Sequence, residues 1–318
     1  MRDYPHVYRY VMSLPWAMTE RMLLVMLDVI TARINYPRPP EEIAARIAAR
    51  QMAQTPREIA AVPTQIAVIP IHGVIAHRAS QFNDVSQSGT SVERVSAGLA
   101  AAVDDPNVGG VLLEIDSEGG AVSGVPELAG EIAAAARRKP VHAIANTMAA
   151  SAAFWLGAQA GRFSMTPSAE VGSVGVFAAH ADLSGQLEMN GVRMTLISAG
   201  RFKTEGHPFG PLGDEALAAL QTRVDAVHDM FIRDLARGRR VAESAVRESF
   251  GEGRLMMPQA ALDAGMVDSV ETFGEAISAL RSEIGRGRPS RPSVAHRSPS
   301  VQRLRNVVAG TTVSLVQN

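Results

Sequence analysis

Cysteine is absent from this 318-residue chain. That excludes a disulfide framework, thiolate metal sites and a cysteine nucleophile, and it suits a cytosolic setting. A charge surplus is missing too. The 31 Lys and Arg stand against 32 Asp and Glu, so no overall field draws the chain to nucleic acid. Long apolar runs are lacking. The start, "MRDYPHVYRYVMSLPWAMTERMLLVMLDVI", is interrupted by Pro15, Glu20 and Arg21 and has no secretory cleavage pattern. Its apolar piece "MLLVMLDVI" is about half of the roughly 20 residues a membrane span needs, and reads as an amphipathic helix used in assembly. There is no HExxH motif and no internal repeat. Lysine is scarce as well: only Lys139 and Lys203 occur, all other side-chain cations of that class being Arg. What is present, 46% hydrophobic and 20% charged residues, fits a soluble globular protein with a sizeable core.

Three regions differ in pattern. Residues 1–60 read as a helical N-terminal extension, with "PPEEIAARIAARQMA" opening on prolines and acids as helix starts do. From 61 to 281 strand-like and helical segments alternate: "QIAVIPIHGVI", "SVERVSAGLAAAV", "GGVLLEID", "SGVPELAGEIAAAARR", "PVHAIAN", "ASAAFWLGAQA", then short strands "RFSMT" and "RMTLIS". Alternation of this kind predicts βαβ units and a mainly parallel sheet. A long amphipathic helix follows, with Leu217, Leu220, Val224, Val227, Phe231 and Leu235 at 3-and-4 spacing for a core or a subunit interface. Residues 282–318 are rich in Arg, Ser and Pro and read as a disordered tail.

Functional sites of parallel sheets lie at the carboxyl ends of strands. Two loops fall there. In "NTMAASAAFW" Ser151 sits among alanines just before a helix, where free N–H groups and the dipole suit an oxyanion, Ala152 N–H being one donor. A helix cap or a packing residue would look the same. In "EIDSEGGAVSG" the pair Gly119-Gly120 lets amides face a cleft without side chains, or simply makes a tight turn. A serine needs a base. None of the eight histidines lies in a triad context, and His180 with Asp182 is too slight for a metal site. Lys139 precedes Pro140 at a helix-to-strand turn. Lys203 lies in the Gly- and Pro-rich loop "ISAGRFKTEGHPFGP", as a base or as a solvated surface cation. A lysine serves as base only when neutral, and lowering its ordinary pKa of about 10.4 by three units takes roughly 4 kcal/mol, which desolvation supplies.

Taken together, "DSEGG", "MAAS", "EVGSVGV" and "ISAGRFKTEG", in this order over residues 64–281, resemble the signal peptide peptidase A family of Ser/Lys peptidases, and most of all its bacteriophage head-maturation (prohead) branch. The N-terminal "LPWAMTERMLLVMLDVI" and the stretch from Lys203 to Arg239 resemble phage members as well. The resemblance implies a Clp-protease/crotonase-like ββα spiral. It implies Ser151 as nucleophile, Lys203 as general base, and Gly120 and Ala152 as oxyanion donors. Gly119, Gly172 and Ser173 would line the substrate cleft. It also implies a homo-oligomer, with the site near a subunit boundary, that needs no metal or cofactor. Its substrates would be scaffold, portal or capsid proteins, cut in the host cytoplasm within the prohead. Two departures stand out: Ala152-Ala153 replaces the family's frequent Gly-Gly, and Glu118 replaces Pro in its "DSPGG" turn. The alternatives are a cellular peptidase that degrades signal peptides and a catalytically silent capsid assembly protein.

Overall fold

The computed structural model describes residues 16–19, 65–78 and 89–286, and the backbone of 314–316. In chain order its strands are β1 (Trp16–Met18), β2 (Gln65–His72), β3 (Ile75–Ala76), β4 (Thr90–Ser91), β5 (Val108–Ser117), β6 (Gly119–Ala121), β7 (Val141–Ala150), β8 (Arg162–Met165), β9 (Glu170–Gly172), β10 (Leu255–Met256), β11 (Ser269–Val270) and β12 (Ser314–Val316). Its helices are α1 (Val92–Asp104), α2 (Val125–Ala135), α3 (Ala152–Gly157), α4 (Ser184–Met189), α5 (Asp214–Arg239), α6 (Glu243–Ser249), α7 (Pro258–Asp263) and α8 (Phe273–Arg286).

The expected α/β class with a mainly parallel sheet is what forms. β2, β5 and β7 run parallel at its centre. The lower half of β7 pairs with β8 and its upper half with β9, both parallel. β10 and β12 close the sheet as antiparallel edges. Strands between helical layers must be apolar on both faces. One face presents Ala67, Ile69, Ile71, Leu113 and Ile115 to the main core beneath α1, α2 and α3. The other presents Ile66, Val68, Leu112 and Ile144 to Ala276, Ile277 and Leu280 of α8. A second, small sheet of order β1-β6-β3-β4 stands at the carboxyl end of β5.

Several local expectations change. Residues 16–18, inside the stretch read as helical, form β1, because two neighbouring segments offer backbone partners on both of its sides. The rest of that extension lies outside the described residues. "RMTLIS" forms no strand: residues 193–198 are exposed and pair with no strand among the described residues. The boundary set at 282 falls short, since α8 runs to Arg286 and Glu283 Oε2 meets the buried His142 Nε2 at 2.7 Å. Residues 314–316 of the presumed disordered tail pair antiparallel with β2, while the remaining tail is outside the described residues. Among the described residues no helix is long and apolar enough to cross a membrane.

Candidate active site

Two neighbouring strands deliver the two loops singled out above. β5 and β7 are adjacent, and their last aligned pair is Ser117 with Ala149. "DSEGG" and "MAAS" therefore emerge side by side at the carboxyl end of the sheet.

Ser151 is the hinge between β7 and α3. Its backbone takes φ 54° and ψ −115°, a conformation that costs a non-glycine residue about 1–3 kcal/mol and persists only where surroundings enforce it. Those surroundings are visible. Ser151 N–H donates to Gly172 O at 2.7 Å, Trp155 N–H donates to Ser151 O at 2.9 Å, and the residue is fully buried. A sharp strand-to-helix turn of this kind lifts a hydroxyl to the top of a sheet. The Ser151 hydroxyl lies 3.4 Å from Gly175 O, toward which it donates. The "EVGSVGV" segment thus borders the serine.

α3 is held firmly. Trp155 stacks on Phe231 with ring centroids 4.4 Å apart. Its indole N–H donates to Asp234 Oδ2 at 2.9 Å, and Gln159 Nε2 donates to the backbone carbonyls of Trp155 and Asp234 at 3.1 Å each. The lower end of α5 is therefore a rigid backing for the helix that carries the serine.

The glycine turn faces the same point. A methyl group on Gly119 would lie 2.9 Å from Ala150 O and 3.1 Å from Ala152 N, so its bare Cα lies against the Ser151 turn; its φ of +96° also calls for glycine. Gly119 N–H is already engaged with Ser117 Oγ at 3.1 Å, and that hydroxyl donates to Gly73 O at 2.6 Å. Ser117 is a positioning residue that the sequence reading left without a role, although its place in "DSEGG" was plain. Gly120 N–H points to the other side, toward β1, and Ala152 N–H belongs to the first turn of α3, where helix amides lack intrahelical acceptors. Gly172 (φ +125°) and Ser173 (φ 53°) sit opposite, anchored by Ser173 N–H donating to Arg254 O at 2.8 Å.

The structure does not join all the predicted parts within one chain. Lys203 lies in an exposed turn, and the Ser151 hydroxyl is directed to Gly175 O rather than to an amine. The other lysine is committed elsewhere: Lys139 Nζ donates to Ala102 O at 3.1 Å and Asp105 O at 2.5 Å, tying down the end of α1. Four histidines are likewise occupied. His72 faces Glu114, His77 faces Glu93, His142 meets Glu283, and His180 Nε2 lies 3.0 Å from His207 O. Among the described residues no cluster of three or more His, Asp or Glu is placed to hold a metal ion. Glu118, the residue in place of the family's proline, has its carboxyl pushed above the usual range by burial, with Asp116 adding to the effect, while its own backbone N–H pulls it down.

A serine at a strained strand-to-helix elbow stands against a glycine turn on the carboxyl edge of a parallel sheet. Comparison with known proteins gives the family. Residues 133–285 match the sequence model of Peptidase family S49, and the chain carries a domain of that family. Capsid assembly protease C of Escherichia phage lambda is 34% identical over 215 residues, 68% of this chain and 48% of that protein. Head-tail preconnector protein GP5 of Enterobacteria phage P21 is 33% identical over 215 residues, 68% of this chain and 42% of that protein. The chain thus spans about half the length of these relatives. A solved ClpP1 mutant from Listeria monocytogenes superposes with a TM-score of 0.40 and 13% identity over 66% of this chain and 94% of that one.

Proposed function

We propose that this chain is a serine endopeptidase of the Ser/Lys type that cuts scaffold, portal or capsid proteins during assembly of a phage head in the host cytoplasm. The observation that carries the reading is the enforced backbone of Ser151 beside Gly119-Gly120. Strain of that kind is kept where a hydroxyl must be presented.

In the proposed reaction neutral Lys203 removes the Ser151 proton as Oγ attacks the substrate carbonyl. The amides of Gly120 and Ala152 receive the oxyanion, an interaction of about 3 kcal/mol per donor in comparable sites. The ammonium then protonates the leaving amine, and an acyl-enzyme remains. Water, deprotonated by the same lysine, attacks the ester and restores Ser151.

The lysine comes from a neighbouring copy. Lys203 follows an exposed stretch that carries large apolar side chains: Ile197 is 94% exposed, Met189 84% and Phe202 50%. Large exposed apolar groups in one stretch of chain favour an association face. Burying this loop against another copy would also desolvate the amine and favour its neutral form. Such a homo-oligomer explains why one chain alone holds the serine and leaves the lysine outside.

Ser151→Ala and Lys203→Ala should each abolish cleavage of a co-expressed capsid or scaffold protein, read by mass spectrometry of the fragments. Mixing the two inactive variants should restore part of the activity, because some interfaces then pair an intact serine with an intact lysine. Full activity in either single variant sinks the dyad. A fluorophosphonate that labels the wild type but not Ser151→Ala separates a working enzyme from a silent assembly protein.

A further inference from the structure

β1 lies between the glycine turn of β6 and the Phe177 segment. It ends the small sheet at β6 and is bridged on its outer side at Trp16. Trp16 N–H donates to Phe177 O at 2.9 Å and Phe177 N–H to Trp16 O at 3.1 Å on one side. On the other side β1 runs antiparallel to β6, with Trp16 opposite Ala121, Ala17 opposite Gly120 and Met18 opposite Gly119. Thr19 N–H donates to Glu118 O at 3.2 Å. In an antiparallel ladder every second pair exchanges both of its hydrogen bonds, so the next such pair is Ala17 with Gly120. The Ala17 carbonyl is thereby aimed at the Gly120 amide, the proposed oxyanion donor. The same carbonyl lies 2.2 Å from where a methyl on Gly119 would stand, a point itself 3.1 Å from Ala152 N. The Ala17 carbonyl thus stands against the glycine turn that borders Ser151.

The two walls of this slot are the two segments that touch the nucleophile. Gly119 abuts the Ser151 turn, and Gly175, two residues before Phe177, receives the Ser151 hydroxyl. A peptide bound as an added strand takes its backbone bonds from two such walls and its selectivity from side-chain slots. Trp16 and Ala17 already fill those slots, each with no exposed surface. Among the described residues, β1 engages the backbone of Phe177 on one side and of the Glu118–Ala121 stretch on the other.

We propose that the Trp16–Met18 segment is a tethered substrate mimic. It closes the site until it is displaced, and it marks the register of a true substrate: a small residue at the Ala17 position, preceded by a large apolar one. The inference rests on the peptidase reading, and its test is separable from it. The chain has no cysteine, so the double variant Trp16→Cys, Ala121→Cys can form one disulfide, across a facing pair whose spacing in a non-hydrogen-bonded position suits the bond. Oxidised protein should hydrolyse a fluorogenic peptide of sequence Leu-Pro-Trp-Ala-Met-Thr at least tenfold more slowly than the same protein reduced. In the opposite direction, Ala17→Pro removes the N–H that β1 gives to Gly120 O, and should raise hydrolysis of the added peptide at least threefold. Equal rates in oxidised and reduced protein would overturn the inference and leave the peptidase reading standing. If no form hydrolyses peptide, the peptidase reading fails. The groove is then tested by anisotropy of the fluorescein-labelled peptide on a chain also carrying Ser151→Ala. There at least tenfold weaker binding on oxidation supports the inference, and unchanged binding ends it.

Discussion

Ser151 combines a chemical role with a conformational burden. At φ 54° glycine is more at ease than any residue with a Cβ. Ser151→Gly should therefore melt at a higher temperature than Ser151→Ala, by an amount worth about 1 kcal/mol, while both are inactive; calorimetry on the two purified variants checks the order. Glu118 is the second residue with a legible consequence. Its folded carboxyl is raised above 4.5, first by burial and then by Asp116. A raised carboxyl binds its proton more tightly in the folded state than in the unfolded one. Its contribution to stability is thus complete at low pH and fades as pH climbs from 4.5 through the raised value. The neutral Glu118→Gln variant lacks that titration, so its melting temperature should fall less over that rise than the wild type's. Thermal melts at stepped pH decide it, and parallel curves refute the burial effect.

At the scale of elements, α3 is short, six residues, and could not hold a strained serine alone. Its fixity comes from α5, through the Trp155–Phe231 stack and the Trp155–Asp234 hydrogen bond. Asp234→Leu would leave the buried Trp155 indole N–H without its acceptor and Arg237 without its carboxylate. A loss of about 1–3 kcal/mol is expected, measured by urea unfolding, with activity falling more than stability alone explains because the elbow loosens. The stripe of α5 was legible in sequence, but its two ends serve different purposes. Phe231 and Leu235 are buried, whereas Leu217 is 53% exposed. Periodicity names an apolar face; it does not say whether the chain's own core or another copy covers it.

For the whole molecule, the exposed run from Met189 to Phe202 should hold copies together. Ile197→Glu places a charge where an apolar contact is expected, and should shift the mass seen by light scattering toward the monomer and cut activity at least tenfold. An unchanged mass with full activity would refute the shared site.

The amino-acid sequence by itself determined the alternating elements, the parallel core and the two loops at its carboxyl edge, because strand and helix periods and glycine or small-residue turns are local signals. It also isolated Ser151 and the only two lysines. Tertiary structure alone decided the rest: that Ser117 orients the glycine turn, that α5 braces α3, that Lys139 ends a helix, and that Trp16–Met18 becomes a strand. Those outcomes depend on which backbone groups meet across distant segments. A three-residue stretch has no period to read, and becomes a strand only when two partners stand a strand's width away on either side.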